Sequence, residues 1–240
     1  MRIEILADPW AVAKQGAAII AEESKTAIAA RGQFLLALSG GKSPWKTIQA
    51  LAKEPVAWDH VHIFQVDERV APEGHPDRNL TTLREILLAQ TPLREDQIHP
   101  MPVDVDDLEA GAADYIHTLQ QWAGTPPVLD LINLGLGSDG HTASLIPGDP
   151  ALGVDDLDVT ITDLHFGRHR MTLTTPILNR ARHLLWIVTG AEKSKMVKRL
   201  TNADPAISAG RIRQDNATLL LDPAAGALLP ESSDKLYFPV

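Results

Sequence analysis

An acid and an imidazole stand two residues apart in a glycine-rich stretch of the chain. Asp139 and His141 lie within the sequence GLGSDGHTAS at 135–144. A carboxylate beside an imidazole can orient the ring and help it take a proton from water. The same pattern also fits a surface Asp-Gly turn with an unrelated histidine. His141 is therefore a candidate general base and Asp139 its candidate orienting partner.

A second glycine-rich stretch, SGGKSP at 39–44, comes after an apolar run. It ends like a nucleotide-binding P-loop, but the first glycine of that pattern would fall at Leu36. Glycines let a backbone approach a ligand, and the free N–H groups of a helix that begins here would attract an anion. The pattern predicts Ser43 as the helix N-cap, with Pro44 in the first turn. The stretch is therefore a candidate site for one phosphate, and the alternative is an ordinary strand-to-helix turn. The candidate phosphate ligands are Ser39, Gly40, Gly41, Lys42 and Ser43.

Charged residues lie beside three further apolar runs. Asp67 and Arg69 belong to a DER triplet after VHIFQV, and Arg170 precedes a short apolar run. Lys193 falls in the first turn of a predicted helix, where a cation opposes the helix dipole by about 0.3–1 kcal/mol and a bound anion would offset that cost. Each could equally be a solvated surface charge. Together they are candidates for charge stabilisation and anion binding.

Other chemistries find little support in the sequence. The G-x-G-x-x-G match at 135–140 is followed by Pro147 and Gly148, which leave no room for the long helix of a dinucleotide site. An S-x-x-K match at 39–42 lacks the companion motifs of the acylating serine enzymes. His60 and His62 would share one face of a strand, but no third metal ligand is evident. We expect no cofactor, no metal and no covalent serine.

Composition narrows the class of protein further. The chain has 240 residues, 44% of them hydrophobic, which suits one α/β domain spanning 1–240. The net charge of −9 and the lack of a long basic run predict no nucleic-acid partner. No apolar run approaches the roughly 18–20 residues of a membrane span. The sequence contains no cysteine, and its first residues are typical of a strand, so we predict a cytoplasmic protein without a membrane partner.

The candidate residues must be positioned by alternating strands and helices. This alternation predicts a doubly wound, mostly parallel sheet flanked by helices, of the Rossmann type. Ligands bind beyond the carboxyl ends of such strands, where the loops at 39, 67, 135 and 189 would meet. Residues 147–169 are predicted to be irregular. The predicted strands are 3–6, 34–38, 61–66, 98–101, 129–134, 171–174, 184–188 and 218–221, and the predicted helices are 10–30, 44–53, 80–89, 107–123 and 192–200.

Taken together, the motifs resemble the 6-phosphogluconolactonase family over nearly the whole chain. They are S-G-G-x-[ST]-P at 39–44, D-E-R at 67–69, Asn-Leu at 79–80, G-x-G-x-D-G-H-T-A-S-[LIF]-x-P at 135–147, R-x-T-L-T at 170–174 and T-G-x-x-K at 189–193. The block at 135–147 is the most specific. Arg78 stands where the family more often has serine, and we expect it to alter the rim of the site.

The resemblance implies a phosphosugar lactone as the substrate of a monomer or weak homodimer. The loop at 39–43 would hold its phosphate with Arg170 and Lys193, and His141 would take the proton from water. Arg69, helped by backbone N–H groups near Gly40–Gly41 or Gly137, would stabilise the oxyanion. Asp67 would position water or sugar hydroxyls.

Two alternatives remain beside this interpretation. The sibling glucosamine-6-phosphate deaminases typically have D-E-Y and G-H-I-A-F-N-E-P, and their glutamate corresponds to Ile146 here. A non-catalytic sugar-phosphate sensor on the same fold is the other, although Asp139 and His141 argue against it.

Overall fold

The strands and helices alternate along most of the chain. The computed structural model describes residues 1–230 and the backbone of 236–238. Its strands are β1 (Arg2–Leu6), β2 (Phe34–Leu38), β3 (Val61–Gln65), β4 (Asp67–Arg69), β5 (Ile98–His99), β6 (Leu131–Leu134), β7 (Val159–Ile161), β8 (Arg170–Leu173), β9 (His183–Val188), β10 (Ala217–Leu221) and β11 (Leu236–Phe238). Its α-helices are α1 (Pro9–Arg31), α2 (Lys42–Leu51), α3 (Asn79–Ile86), α4 (Leu108–Ala123), α5 (Thr175–Arg180) and α6 (Ser194–Thr201).

The main sheet is parallel throughout and has the strand order β11-β1-β10-β9-β6-β2-β3-β5. From β2 the chain proceeds through β3 to β5 at one edge, then returns to β6 on the other side of β2 and continues through β9 to β10. The order therefore reverses between β2 and β6. Crevices for ligands form at such switch points, beyond the carboxyl ends of the strands. The predicted doubly wound, mostly parallel sheet is confirmed.

Apolar side chains cover both faces of this sheet. One hydrophobic cluster joins it to α1, α2 and α3, with Val12, Ile48 and Leu83 among its buried members. The other joins it to α4, α5 and α6, with Leu119 and Leu200 among its members. Strands buried on both faces read as continuous apolar runs, which is why the bounds predicted for FLLAL in β2 agree with those in the structure.

A second, smaller sheet lies beside the main one and contains β4, β8 and β7 in antiparallel order. Asp67 pairs with Thr172, and Arg69 pairs with Arg170. The sequence predicted a loop at Asp67-Glu68-Arg69 and irregular structure over residues 147–169. Both predictions differ from the structure, in which 67–69 form β4 and 159–161 form β7. The small sheet brings residues more than 100 positions apart in sequence into one wall of the site.

Several local predictions differ from the structure. Gly41, with φ of +117°, precedes the first residue of α2, so Ser43 is inside the helix and is not its N-cap. His60 ends a short 3₁₀ turn before β3, so it does not share a strand face with His62. The helix predicted at 192–200 begins as a 3₁₀ turn at Ala191–Lys193 and continues as α6.

Two histidines, half-buried His62 and buried His99, stack on each other away from the switch point. Nδ1 of His62 lies 3.1 Å from Nε2 of His99; Phe64 stacks on His99, and the Trp122 ring contacts both histidines at a tilt. Burial, with a smaller contribution from His62, lowers the pKa of His99 from 6.5 to about 4.

Across the described residues, none of the helices combines the length and apolar character that crossing a lipid bilayer requires.

Candidate active site

A cleft of about 640 Å³ opens at the switch point. The segments that follow β2, β3, β6 and β9 reach it, as the sequence predicted, although the one after β3 is the strand β4 and not a loop. Its lining includes Ser39, Gly40, Gly41, Lys42, Ser43, Asp67, Arg69, His141, Arg170 and Lys193. Every predicted site residue except Asp139 therefore lines one cleft, and Asp139 contacts it through His141. Asn79, Thr189 and Asp222 also line it.

The imidazole of His141 is held by Asp139. Asp139 Oδ1 lies 2.6 Å from Nδ1 of His141 and also accepts the His141 backbone N–H at 3.1 Å. Partial burial opposes ionisation of Asp139, but the hydrogen bonds and the charge of His141 outweigh it and lower the pKa of Asp139. Because a carboxylate only accepts, neutral His141 carries its proton on Nδ1 and keeps a lone pair on Nε2. The pair thus has the tautomer that a general base requires.

Gly137 makes room for this pair. A Cβ at position 137 would collide with Nδ1 and Cε1 of His141 and with Oδ1 of Asp139. Its backbone N–H donates to the carbonyl of His141 at 2.8 Å. This N–H is therefore engaged, and that other backbone N–H groups near Gly137 support an oxyanion stays a prediction. Gly137 instead allows the acid and the imidazole to approach each other.

The start of α2 forms the opposite wall. The left-handed Gly41 turns the chain into the helix, and the α2 N-terminus carries no side-chain cap. The Ser39 side chain is buried, with only 4% of the residue exposed, and its Oγ has no hydrogen-bond partner in the described structure. Ser43 Oγ lies 2.7 Å from Oγ1 of Thr189, which joins this wall to the loop after β9. Free helix N–H groups and an unpaired hydroxyl are suited to an anion.

Asp222 holds the loop that carries Lys193. The backbone N–H of Gly190 lies 3.1 and 3.2 Å from the two carboxylate oxygens of Asp222, and Ala225 donates to Oδ1 at 2.8 Å. Gly190 has φ of +103°, a conformation that favours glycine. The loop then places Lys193 at the cleft. Asp222 was not predicted from the sequence, although it comes directly after β10 at the same edge of the sheet, and its position at a strand end is the signal that could have found it.

A buried carboxylate organises the wall formed by β4. Glu68 is completely buried and accepts hydrogen bonds from the backbone of Asn79 at 2.7 Å and of Leu80 at 2.9 Å, which are the first residues of α3. Arg78 is also buried, and its Nε lies 3.4 Å from Glu68. Arg78 does not line the cleft, so the expectation that it would alter the rim is wrong. Glu68 thus fixes the start of α3 from a neighbouring strand.

Asn79 links this wall to the glycine-rich loop. Its Nδ2 donates to the carbonyl of Asp67 at 2.8 Å and faces Oδ1 of Asp67 at 3.4 Å. Gly40 packs against the Asn79 amide so closely that a Cβ at position 40 would collide with it. In the sequence, Asn79 is evident only as part of a motif. Asn79 therefore joins the β4 wall to the wall formed by the start of α2.

Two arginines face the cleft from neighbouring strands. Arg69 and Arg170 pair across β4 and β8, an arrangement in which like charges repel. Burial lowers the pKa of Arg170; the charge of Asp67 opposes this effect and that of Arg69 adds to it. The Nε atoms of both arginines are buried and have no partner in the described part of the chain. An anionic ligand would supply the missing negative charge.

A metal site receives no support from side-chain positions. Among the described residues, no group of three or more histidines and acids is arranged to hold a metal ion. His62 and His99 contact each other and rings of Phe and Trp. That the reaction needs no metal stays a prediction.

The fold and the cleft define a doubly wound α/β protein with a cleft at its switch point, and comparison with known families identifies the family. Residues 7–221 match the family described as glucosamine-6-phosphate isomerases/6-phosphogluconolactonase. The chain belongs to this family, and the resemblance inferred from its motifs is confirmed.

Within the family, the similar relatives include proteins named 6-phosphogluconolactonase. The one from Synechocystis sp. is 38% identical over 94% of this chain and 97% of its own length. The one from Nostoc sp. is 35% identical over 95% of this chain and 98% of its own length. The structure of 6-phosphogluconolactonase from Trypanosoma cruzi is 26% identical and superposes with a TM-score of 0.84 over 95% of this chain and 96% of that one.

A deaminase shares the fold. The structure of a monomeric glucosamine-6-phosphate deaminase superposes with a TM-score of 0.83 over 95% of this chain and all of that one, at 18% identity. At that identity the likeness shows the fold alone.

Proposed function

We propose that the protein is a 6-phosphogluconolactonase, which hydrolyses 6-phospho-D-glucono-1,5-lactone to 6-phosphogluconate. The observation that carries the proposal is the Asp139–His141 pair in a cleft whose opposite wall holds the uncapped N-terminus of α2 and the unpaired Ser39 hydroxyl. The relatives named 6-phosphogluconolactonase, at 35–38% identity over nearly the whole chain, support the same activity.

His141 acts as the general base. With Nδ1 bonded to Asp139, Nε2 is the nitrogen that takes a proton from water as the water oxygen attacks C1 of the lactone. The bond between C1 and the ring oxygen then breaks, and His141 returns the proton to that oxygen. The product is an open-chain acid that ionises. A lactone carbonyl is already electrophilic, so the step requires neither a covalent intermediate nor a metal.

Arg69 stabilises the negative charge that develops on the carbonyl oxygen. One of its terminal nitrogens, Nη1, donates to the carbonyl of Asp77 at 2.8 Å, which anchors the guanidinium at the cleft. Its remaining donors can face the substrate. The N–H groups of Gly40 and Gly41 stay candidates for the same role. Donors held in place before the reaction stabilise a transition state at no further cost of reorganisation.

The phosphate binds at the N-terminus of α2. The free N–H groups there and the Ser39 hydroxyl supply hydrogen bonds, while Lys193 and Arg170 supply positive charge. The whole chain carries a net charge of −9, so an anionic substrate needs such a local positive site. Asp67 positions water or sugar hydroxyls. A cytoplasmic location and a monomer or weak homodimer stay predictions from the sequence.

Activity assays with two substrates test the proposal. Purified protein should accelerate acid release from freshly prepared 6-phosphogluconolactone in the presence of EDTA, after correction for spontaneous hydrolysis. Loss of activity on chelation, restored by added zinc, would contradict the metal-free mechanism. Release of ammonia from glucosamine 6-phosphate without lactonase activity would assign the protein to the deaminase branch instead.

A further inference from the structure

Ser144 is a completely buried residue at the junction of three elements. It lies three residues after His141, on the loop that follows β6. Its backbone N–H donates to Oγ1 of Thr172 in β8 at 3.0 Å. Its own hydroxyl reaches Oδ2 of Asp67 in β4 at 2.6 Å. Asp67 and Thr172 are themselves paired across the small sheet, so these three residues form a closed ring of contacts.

The hydroxyl of Ser144 is the closest side-chain partner of Asp67. A hydroxyl has one proton, and a carboxylate can only accept it, so Ser144 is the donor in the 2.6 Å contact. Such short bonds to an ionised acceptor are stronger than neutral ones. The other oxygen, Oδ1, lies 3.4 Å from Nδ2 of Asn79, a distance that allows only a weak hydrogen bond. Ser144 thus fixes one oxygen and leaves the other for a ligand.

The same hydroxyl also faces a cation. Nη1 of Arg170 lies 3.5 Å from Oγ of Ser144, so the hydroxyl stands between the Arg170 guanidinium and the Asp67 carboxylate. The two charges are close enough for Asp67 to oppose the lowering of the Arg170 pKa. Their hydrogen bonds run through Ser144, and in the described structure no direct ion pair joins them. Arg170 therefore keeps charge and donors available at the cleft.

We infer that Ser144 is a positioning residue that keeps Asp67 and Arg170 apart in the free protein. Its hydroxyl satisfies one carboxylate oxygen of Asp67 and occupies the place where Arg170 would otherwise bind that carboxylate. Without the hydroxyl, Arg170 becomes the nearest donor for Asp67, and the resulting ion pair competes with an anionic ligand. This inference rests on the proposed function for the identity of that ligand.

A double-mutant cycle tests whether Ser144 acts through Asp67. Binding of 6-phosphogluconate, the product, is measured by calorimetry for wild type, Ser144→Ala, Asp67→Asn and the double variant. Ser144→Ala should raise the Kd about tenfold, because an ion pair must be broken before the ligand binds. In the Asp67→Asn background, where no ion pair can form, the same change should alter the Kd less than about threefold. An equal effect in both backgrounds, or no effect in either, would overturn the inference.

Ser208→Ala is the matched control. Ser208 is also completely buried, and it hydrogen-bonds to the backbone of Thr142 and Gly140 on the same loop without touching Asp67. A loss of affinity in Ser208→Ala equal to that in Ser144→Ala would show that loop packing is the cause and would overturn the inference. Circular dichroism checks folding. Ser144→Gly, which also removes the hydroxyl, replaces Ser144→Ala if the alanine variant does not fold, and the same outcomes apply.

Turnover separates this inference from the proposed function. Ser144→Ala should lower kcat as well as weaken binding, and Ser144→Thr, which keeps a hydroxyl, should recover most of both. Failure of Ser144→Thr to recover more than Ser144→Ala would count against the inference. Wild type that binds 6-phosphogluconate but does not hydrolyse the lactone would overturn the function and leave the binding cycle valid. Wild type that hydrolyses the lactone with a kcat that Ser144→Ala leaves unchanged would overturn the inference and leave the function standing.

Discussion

Replacing Gly137 by alanine should disable the Asp139–His141 pair while leaving the rest of the fold in place. The added Cβ would stand inside contact distance of the His141 ring and of the Asp139 carboxylate. Gly137 has no positive φ, so alanine is compatible with the backbone there, and the effect comes from the collision alone. Both the ring and the carboxylate must move by about 1 Å to restore normal contact, because the added Cβ would collide with each of them.

That displacement sets the expected fall in kcat/KM of Gly137→Ala. A misplacement of about 1 Å can cost roughly 10²-fold in rate. The whole contribution of a general base, about 10²–10⁴-fold, is the upper limit. We therefore expect kcat/KM of Gly137→Ala to fall at least about 10²-fold, approaching the value for His141→Ala. Formation of 6-phosphogluconate is monitored by the reduction of NADP⁺ with 6-phosphogluconate dehydrogenase, and the spontaneous rate is subtracted.

Gly153→Ala is the matched control. Gly153 ends a 3₁₀ turn, and a Cβ there would meet nothing within 4 Å. This variant should keep wild-type kinetics and a similar midpoint of thermal unfolding. If folded Gly137→Ala stays within about threefold of wild type, the pair does not need the geometry that the structure shows, and the reasoning from it is wrong.

Three further changes give distinct results. Lys193→Ala should lower kcat/KM about ten- to hundred-fold for the phosphorylated lactone and little for glucono-1,5-lactone, since a charge-assisted contact contributes about 1.5–3 kcal/mol; equal losses would show that Lys193 does not bind the phosphate. Asp139→Asn should lower kcat with little change in the Kd of 6-phosphogluconate, because an amide no longer selects the tautomer of His141; an unchanged kcat would remove Asp139 from the mechanism. The pKa of His99, about 4 when folded, lies below its ordinary 6.5, so the unfolded chain binds more protons. The free energy of unfolding should therefore fall as pH drops from 6.5 towards 4, by up to about 3 kcal/mol. Urea titrations at several pH values should show a smaller fall in His99→Phe than in wild type, and the same dependence on pH in both proteins would contradict the assignment.

The main sheet could be predicted because its strands are buried on both faces. Runs such as FLLAL in β2 are apolar at every position, and glycine ends the long helices α1 and α4. The glycine-rich loops at the strand ends then indicated most of the site, since the carboxyl ends of parallel strands meet at one edge.

The small sheet could not be predicted, because its pairing depends on residues far apart in sequence. Asp67-Glu68-Arg69 has no strand-like pattern; it forms β4 because β8 supplies its partners and because the start of α3 supplies donors for Glu68. The resemblance to the family motif placed Arg78 at the rim of the site, but its charge pairs with buried Glu68. Charged residues are assigned to the surface by default, and only the three-dimensional contacts reveal those that are buried and paired.

His141→Ala removes the imidazole on which the proposed hydrolysis depends, so its kinetics test the role of His141 as general base. The variant should fold like wild type, because His141 lies in a loop and not in a core strand. Its kcat for 6-phosphogluconolactone, corrected for spontaneous hydrolysis, should fall about 10²–10⁴-fold, while 6-phosphogluconate still binds. A folded His141→Ala protein that keeps near-wild-type kcat above the spontaneous rate would contradict the account, and Asp67 would become the candidate base.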